Sequence, residues 1–91
     1  MENKKAVFIL GLKWWDKVNG NTYNNPVIFF DNGERYAVGF GYGYGDAYRY
    51  DAEKWLKENN IESITGDYNT LPHASKWTKK VNARHGYVYA D

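Results

Sequence analysis

Residues 39–50, GFGYGYGDAYRY, combine glycine, aromatic and acidic residues at spacings that invite comparison with nucleotide-binding loops. A P-loop has two glycines that bracket four residues, followed by Lys and then Ser or Thr, and a dinucleotide-binding loop reads G-x-G-x-x-G. Gly39 and Gly41 match the start of the second pattern, but Tyr44 stands where its last glycine belongs, and no lysine follows. The stretch therefore does not predict a phosphate-binding loop.

The same stretch is similar to the aromatic strand of an RNA-recognition motif, and VFILGL at residues 7–12 is similar to that motif's second aromatic strand. That fold places a helix between the two strands. Residues 13–36 instead contain two Asn-Gly turn signals and a proline, with no amphipathic helical pattern. The sequence thus argues against this fold, and a base-stacking surface on another kind of sheet stays open.

Catalytic and metal-binding patterns are sparse. The chain has no cysteine, which excludes a thiol nucleophile, a thiolate metal site and a disulfide. His73 and His85 lack the spacing and the acidic company of a zinc site. Asp46, Asp51 and Glu53 are explained as a helix cap and first-turn charges. We therefore predict a protein that is not an enzyme and that uses no cofactor and no metal.

The residues best suited to binding are aromatic, amide and guanidinium side chains near two turns. Trp14 and Trp15 are adjacent, so on a strand they point to opposite faces, and a helix on one face leaves one of them outside or in a second layer. Burial of both is the competing interpretation. The predicted binding residues are Trp14, Trp15, Asn21, Tyr23, Tyr42, Tyr44, Tyr48, Arg49 and Tyr50.

The first half of the chain predicts three antiparallel strands. Residues 5–15 are apolar with a β-branched and aromatic bias, and residues 26–31 form a second such run. The Asn-rich residues 16–25 and the Asp-Asn-Gly at 31–33 predict the two reversals between the strands. Residues 34–45 predict a third strand, which has aromatic side chains on one face and small residues on the other.

The second half of the sequence predicts one helix. Asp46 is a good N-cap, the apolar residues that follow have helical spacing, and Asn59-Asn60 ends the pattern. Further predictions are a short strand at 61–65, a helical turn at 71–80 and a closing strand at 86–91. The predicted fold is α+β: an antiparallel three-stranded meander, then one amphipathic helix packed on the sheet, then one or two short C-terminal strands.

Composition limits the choice of partner. A chain of 91 residues forms a single domain, with a core supplied largely by four Trp, four Phe and nine Tyr. The net charge of +1 argues against wholesale coating of nucleic acid or membrane, although residues 31–67 carry eight acidic and four basic side chains. The apolar run at residues 6–12 is too short to span a bilayer and precedes no cleavage site. We expect a cytoplasmic protein without membrane contact, of unknown oligomeric state.

Two motifs resemble a known group of proteins. KWWDKVNGNTYN at residues 13–24 and YGYGDAYRYDA at residues 42–52, followed by an amphipathic helix, are similar to small accessory proteins of tailed phages and prophages. The resemblance covers Lys13 to Trp55, about half of the chain. In that group a histidine often follows the Tyr of Asn-Thr-Tyr and the Asp of Gly-Asp, where this chain has Asn24 and Ala47. The resemblance implies a phage accessory protein that acts in the host cytoplasm.

Two functions remain as hypotheses. The first is a non-catalytic binding protein that contacts a host protein and inhibits a host defence or nucleic-acid-processing protein, because Tyr gives a large contact area at low entropic cost. The alternative is a single-stranded nucleic-acid-binding protein, with tyrosines that stack on bases and basic residues that contact the phosphates. The residues for the alternative are Tyr42, Tyr44, Tyr48, Tyr50, Arg49 and the basic residues of 76–84.

Overall fold

A computed structural model describes residues 4–16, 21–39, 41–42 and 45–77, in which one helix packs on one face of a mixed β-sheet. The predicted α+β class is therefore confirmed. The strand order is β3-β2-β1-β5, and β4 also pairs with β2. The elements are β1 (Ala6–Asp16), β2 (Asn21–Phe30), β3 (Arg35–Ala37), β4 (Gly41–Tyr42), α1 (Tyr48–Glu58), a short 3-10 helix (Tyr68–Thr70) and β5 (His73–Trp77).

β1 and β2 form a long antiparallel hairpin. β1 matches its prediction within one residue, because a run of apolar residues at this length favours a buried strand. β2 begins at Asn21, five residues before the predicted start at Pro26. The Asn-rich residues 21–25 are therefore strand and not turn, and Asn24 and Asn25 are buried within the sheet. The predicted turn at Asn19-Gly20 lies outside the described residues.

The predicted third strand is divided into β3 and β4. Both pair with β2, but Ala37 opposite Val27 and Gly41 opposite Asn24 belong to registers that differ by one residue. Such a shift is the pattern of a β-bulge, where the strand gains one residue relative to its neighbour. Gly39 lies at this point with a φ of 137°, and its N–H donates to the side-chain oxygen of Asn25 at 3.2 Å. The uninterrupted alternation predicted for residues 34–45 is therefore wrong.

α1 confirms the predicted helix and its end. Tyr48, Ala52 and Leu56 recur every four residues and are buried against the sheet. The predicted cap is wrong, because Ala47 occupies the N-cap position and no side chain caps the helix. Asp46 instead places its carboxylate 3.2 Å from the guanidinium of Arg49.

The segment after α1 differs from its prediction, because it adds a parallel strand to the sheet. His73–Trp77 is a strand that pairs in parallel with β1, so the predicted helical turn at 71–80 is wrong there and the sheet is not an antiparallel meander. All five residues of β5 are exposed, so no apolar periodicity marks them as a strand. The predicted strand at 61–65 is only an isolated bridge between Ala6 and Ser63. The predicted strand at 86–91 lies outside the described residues.

The core lies between α1 and the sheet. The Tyr48 ring lies directly against the backbone of Gly11, where a side chain would collide with it. Within the described residues, no helix is long and apolar enough to cross a membrane. The buried core residues are Ala6, Ile9, Ile28, Phe30, Tyr48, Ala52, Leu56 and Leu71.

Candidate functional site

The sheet face that lies away from α1 is apolar, and we call it the helix-free face. Ile9 and Gly11 face the helix, since Ile9 belongs to the core and the Tyr48 ring lies on Gly11. Successive strand residues point to opposite faces, and residues paired across two strands share a face. The helix-free face comprises Phe8, Leu10, Leu12, Trp14, Tyr23, Val27 and Phe29, together with the buried Asn25 opposite Leu12.

Aromatic pairs lie at the two ends of the helix-free face. Trp14 and Tyr23 stack across β1 and β2, with ring centroids 5.3 Å apart and ring planes inclined by 24°. At the other end, Phe8 meets Phe29 edge to face with centroids 6.0 Å apart. Leu12 is buried between the two pairs, whereas the four rings are each partly exposed. Leu10, Trp14 and Val27 pack against Leu12, so the centre of this face is an apolar cluster.

The edges of the helix-free face carry positive charge. Arg35 of β3 pairs with Phe29, and Lys76 of β5 pairs with Leu12, so both cations belong to this face. Both residues are exposed. An apolar centre with charged edges is the usual composition of a protein interface.

The predicted binding residues fall into separate groups. Trp14 and Tyr23 are brought together on the helix-free face, as alternation of the adjacent tryptophans allows. The backbone of Tyr42 pairs with that of Tyr23. The side chains of Trp15, Asn21 and Tyr42, and the whole of Tyr44, lie outside the part of the chain that the structure describes.

Tyr48 belongs to the core and not to a surface. It is 2% exposed, and its hydroxyl lies 2.8 Å from Nδ1 of His73. Burial raises the pKa of the Tyr48 hydroxyl above its ordinary value, and the nearby Asp46 carboxylate raises it further. A ring enclosed in this way cannot stack on a nucleic-acid base, so Tyr48 is removed from the candidate binding surface.

Arg49 and Tyr50 lie on α1, on the other side of the sheet from Trp14. Arg49 donates to the carboxylate of Asp46 and to the backbone oxygen of Asn69, and its guanidinium lies 4.0 Å from the Glu53 carboxylate. Its hydrogen bonds therefore tie the helix to the 3-10 segment. Tyr50 is 75% exposed and is available for contact.

A groove that the sequence did not predict runs between α1 and the bulged strand. Its volume is about 290 Å³, and Gly39 and Gly41 form one side of it. A Cβ at Gly41 would lie 2.9 Å from a carboxylate oxygen of Asp51, so the glycine is what lets the carboxylate approach the strand. The groove is lined by Val38, Gly39, Gly41, Asp51, Lys54, Trp55 and Glu58.

The Trp55 ring that lines the groove is held by Tyr36. The two rings stack with centroids 4.4 Å apart and planes inclined by 21°. Tyr36 lies in β3 and is 44% exposed, so the pair continues the groove toward solvent. In the sequence, Gly41 is the one signal of this groove. A glycine in a strand can mark the close approach of another group, but the sequence does not show that the group is Asp51, ten residues later.

Asn24 is a buried polar residue that the fold does not satisfy. It is 1% exposed, and among the residues that the structure describes neither its amide nitrogen nor its amide oxygen has a hydrogen-bond partner. Asn24 pairs with Gly41 across β2 and β4, so it lies on the helix-facing side of the sheet beside the Asp51 carboxylate. Unsatisfied buried amides are uncommon in folded proteins and call for an explanation.

The described residues contain no group of three His, Asp or Glu side chains that could hold a metal ion. Comparison with protein-family models, with curated proteins and with solved structures finds no match to this chain.

Proposed function

We propose that this chain is a non-catalytic, phage-encoded accessory protein that binds a host protein through its helix-free face. The observation that supports the proposal is the partial exposure of the aromatic side chains on that face. Ordinary monomers seldom leave large contiguous apolar patches in water, and such patches commonly mark interaction sites. The resemblance of residues 13–55 to small phage proteins supplies the class of partner and the cytoplasmic setting.

The packing of the rings favours a protein partner over nucleic acid. Contact between rings takes up part of the aromatic surface on which bases would stack. Trp14 and Tyr23 cover one face of each other, and Phe8 and Phe29 meet edge to face. Rings paired in this way form a layer of large apolar area at low entropic cost, which suits a protein surface.

The charges at the edges specify the partner further. Arg35 lies at the edge of the apolar centre, so an acidic side chain at the rim of the partner's surface would complement it. On the resemblance to phage accessory proteins, we propose that the partner is a host defence or nucleic-acid-processing protein and that binding inhibits it. Binding that occupies a working surface inhibits without any chemistry of its own.

A direct test places a photocrosslinking amino acid at Leu10, on the helix-free face, and separately at Tyr50, on α1. The proposal expects crosslinks to one host protein from Leu10 and not from Tyr50. The identified partner is then purified, and its affinity is measured by calorimetry for the unmodified chain and for Leu10→Asp. One charge placed in an apolar interface is expected to weaken binding by about tenfold or more.

The matched control is Tyr50→Ala, which removes an aromatic side chain from the opposite side of the molecule. Its affinity should stay within about twofold of the unmodified chain, since contacts outside an interface contribute little. Circular dichroism verifies that both variants are folded. Equal binding by Leu10→Asp and the unmodified chain would remove the helix-free face from the proposal.

Single-stranded nucleic-acid binding is the second candidate, because Arg35 and Lys76 place cations beside the aromatic layer. A fluorescent oligothymidylate titrated with the protein at low and high salt tests it. Phosphate contacts make affinity fall steeply with salt. Saturable, salt-sensitive binding that Leu10→Asp abolishes would favour this candidate, and the absence of binding at low salt would eliminate it.

A further inference from the structure

The groove between α1 and the bulged strand has the chemistry of a cation receptor. Asp51 and Glu58 contribute carboxylates, and Lys54 contributes one opposing ammonium. Neither carboxylate takes part in an ion pair within the described residues. Asp51 lies partly buried against the Gly41 backbone, where lower solvent screening strengthens its attraction for a cation.

The aromatic side of the groove narrows the class of cation. Trp55 is held in place by its stack on Tyr36, so the indole is a fixed side of the groove. Indole rings attract cations, and guanidinium groups pack on them more readily than ammonium groups do. A guanidinium is also planar and pairs with a carboxylate through two parallel hydrogen bonds.

The buried amide of Asn24 lies behind the Gly41 side of the groove, on the helix-facing side of the sheet, and does not itself line the groove. Asp51 is therefore the polar group that a ligand meets beside Gly41. An apolar ligand would leave the Asp51 carboxylate unpaired, and an anion would meet two carboxylates.

We propose that this groove binds an arginine side chain of another protein. The guanidinium pairs with the Asp51 carboxylate and packs against the Trp55 indole. The Glu58 carboxylate adds to the attraction for the guanidinium, and the Lys54 ammonium reduces that attraction. This site lies on the opposite side of the sheet from the helix-free face, and it does not depend on which partner that face binds.

The test uses N-acetyl-arginine-methylamide as the probe and the isotopically labelled full chain. We expect saturable shifts in the Trp55 indole N–H and in the backbone amides of Gly39 and Gly41, which line the groove. The citrulline analogue has the same shape without the charge. It should bind about tenfold more weakly, because charge-assisted hydrogen bonds are roughly twice as strong as neutral ones.

Variants distinguish binding of the probe in the groove from a general attraction of the probe to the acidic side chains of α1. Asp51→Asn should weaken the arginine probe by about tenfold or more, since it removes the charged partner and keeps the shape. Lys54→Ala should strengthen binding. Glu53→Gln is the matched control, because Glu53 lies on the same helix near Arg49 and does not line the groove; it should bind within about twofold of the unmodified chain.

Three results would overturn the proposal: equal binding of the citrulline probe, unchanged affinity in Asp51→Asn, or shifts confined to residues outside the groove. Leu10→Asp should bind the probe normally. Failure of the helix-free face to bind a host protein would therefore leave the arginine result intact, and the reverse holds as well.

Discussion

Gly11 offers the sharpest test of the packing, because the Tyr48 ring occupies the space where a side chain would lie. A Cβ at Gly11 would be 2.5 Å from Cε2 of Tyr48 and closer still to two other ring carbons. The ring has little room to withdraw, since Tyr48 is 2% exposed and its hydroxyl is within hydrogen-bond distance of His73. Gly11→Ala therefore forces either the helix or the strand to move.

The expected cost follows from two opposing effects. Overpacking a well-packed core typically costs about 1–3 kcal/mol. Alanine in a strand interior is otherwise favoured over glycine by about 0.5–1 kcal/mol. The net expectation is that Gly11→Ala lowers the free energy of unfolding by about 1 kcal/mol, which for a domain of this size lowers Tm by roughly 4–8 °C.

The assay is urea unfolding followed by tryptophan fluorescence and circular dichroism, and a second background isolates the contact. In Tyr48→Ala the colliding Cγ and ring carbons are all absent, so Gly11→Ala should there become neutral or stabilising by about 0.5 kcal/mol. The change of sign is a coupling between the two positions. If Gly11→Ala costs the same in both backgrounds, the Tyr48 ring is not what requires glycine at this position.

Three further predictions concern buried polar groups and the bulge. Burial raises the pKa values of Tyr48 and Tyr68 above 10.0, so the folded state favours the neutral phenols. The free energy of unfolding should therefore fall as the pH rises from about 10 through the folded-state pKa values. Urea titrations at neutral and alkaline pH measure this fall, which should be smaller in Tyr68→Phe. Asn24→Leu should raise the free energy of unfolding in urea by about 1 kcal/mol, because it removes an unsatisfied buried amide; a loss instead would mean that the amide is satisfied in solution. Gly39→Ala should cost about 1–3 kcal/mol in the same assay, because its φ of 137° strains a side-chain-bearing residue, and an unchanged midpoint would contradict the bulge.

Those parts of the fold that have their own local pattern could be predicted from the sequence. α1 was predictable because Tyr48, Ala52 and Leu56 recur at helical spacing. β1 was predictable because its apolar run has the β-branched and aromatic bias of a strand. In both elements the side chains that make the tertiary contact also make the local pattern.

β5 and the bulge could not be predicted, because their causes lie elsewhere in the chain. His73–Trp77 has no strand pattern of its own, and it becomes a strand by pairing in parallel with the exposed edge of β1. The bulge at Gly39 depends on the side chain of Asn25, fourteen residues earlier. Pairing across such distances leaves no periodicity in either segment.

The candidate sites show the same division. Alternation predicted that one of two adjacent tryptophans leaves the helix side, and Trp14 does. The groove required knowledge of which residue approaches Gly41, and only the fold shows that it is Asp51. Tyr48 was misassigned because a tyrosine at a helix start has the same composition signal whether it is buried or exposed.

The two faces of the sheet also explain why the aromatic content of the chain was ambiguous. Ile9 and Ile28 pair across β1 and β2 under the helix and are fully buried, whereas Phe8 and Phe29, one residue away on each strand, remain partly exposed. The two pairs are equally apolar, so hydrophobicity cannot tell them apart. Stability alone would favour burying both pairs, since each exposed ring forgoes the gain from burial. Contact with the partner proposed above would account for the large rings at positions that the helix does not cover.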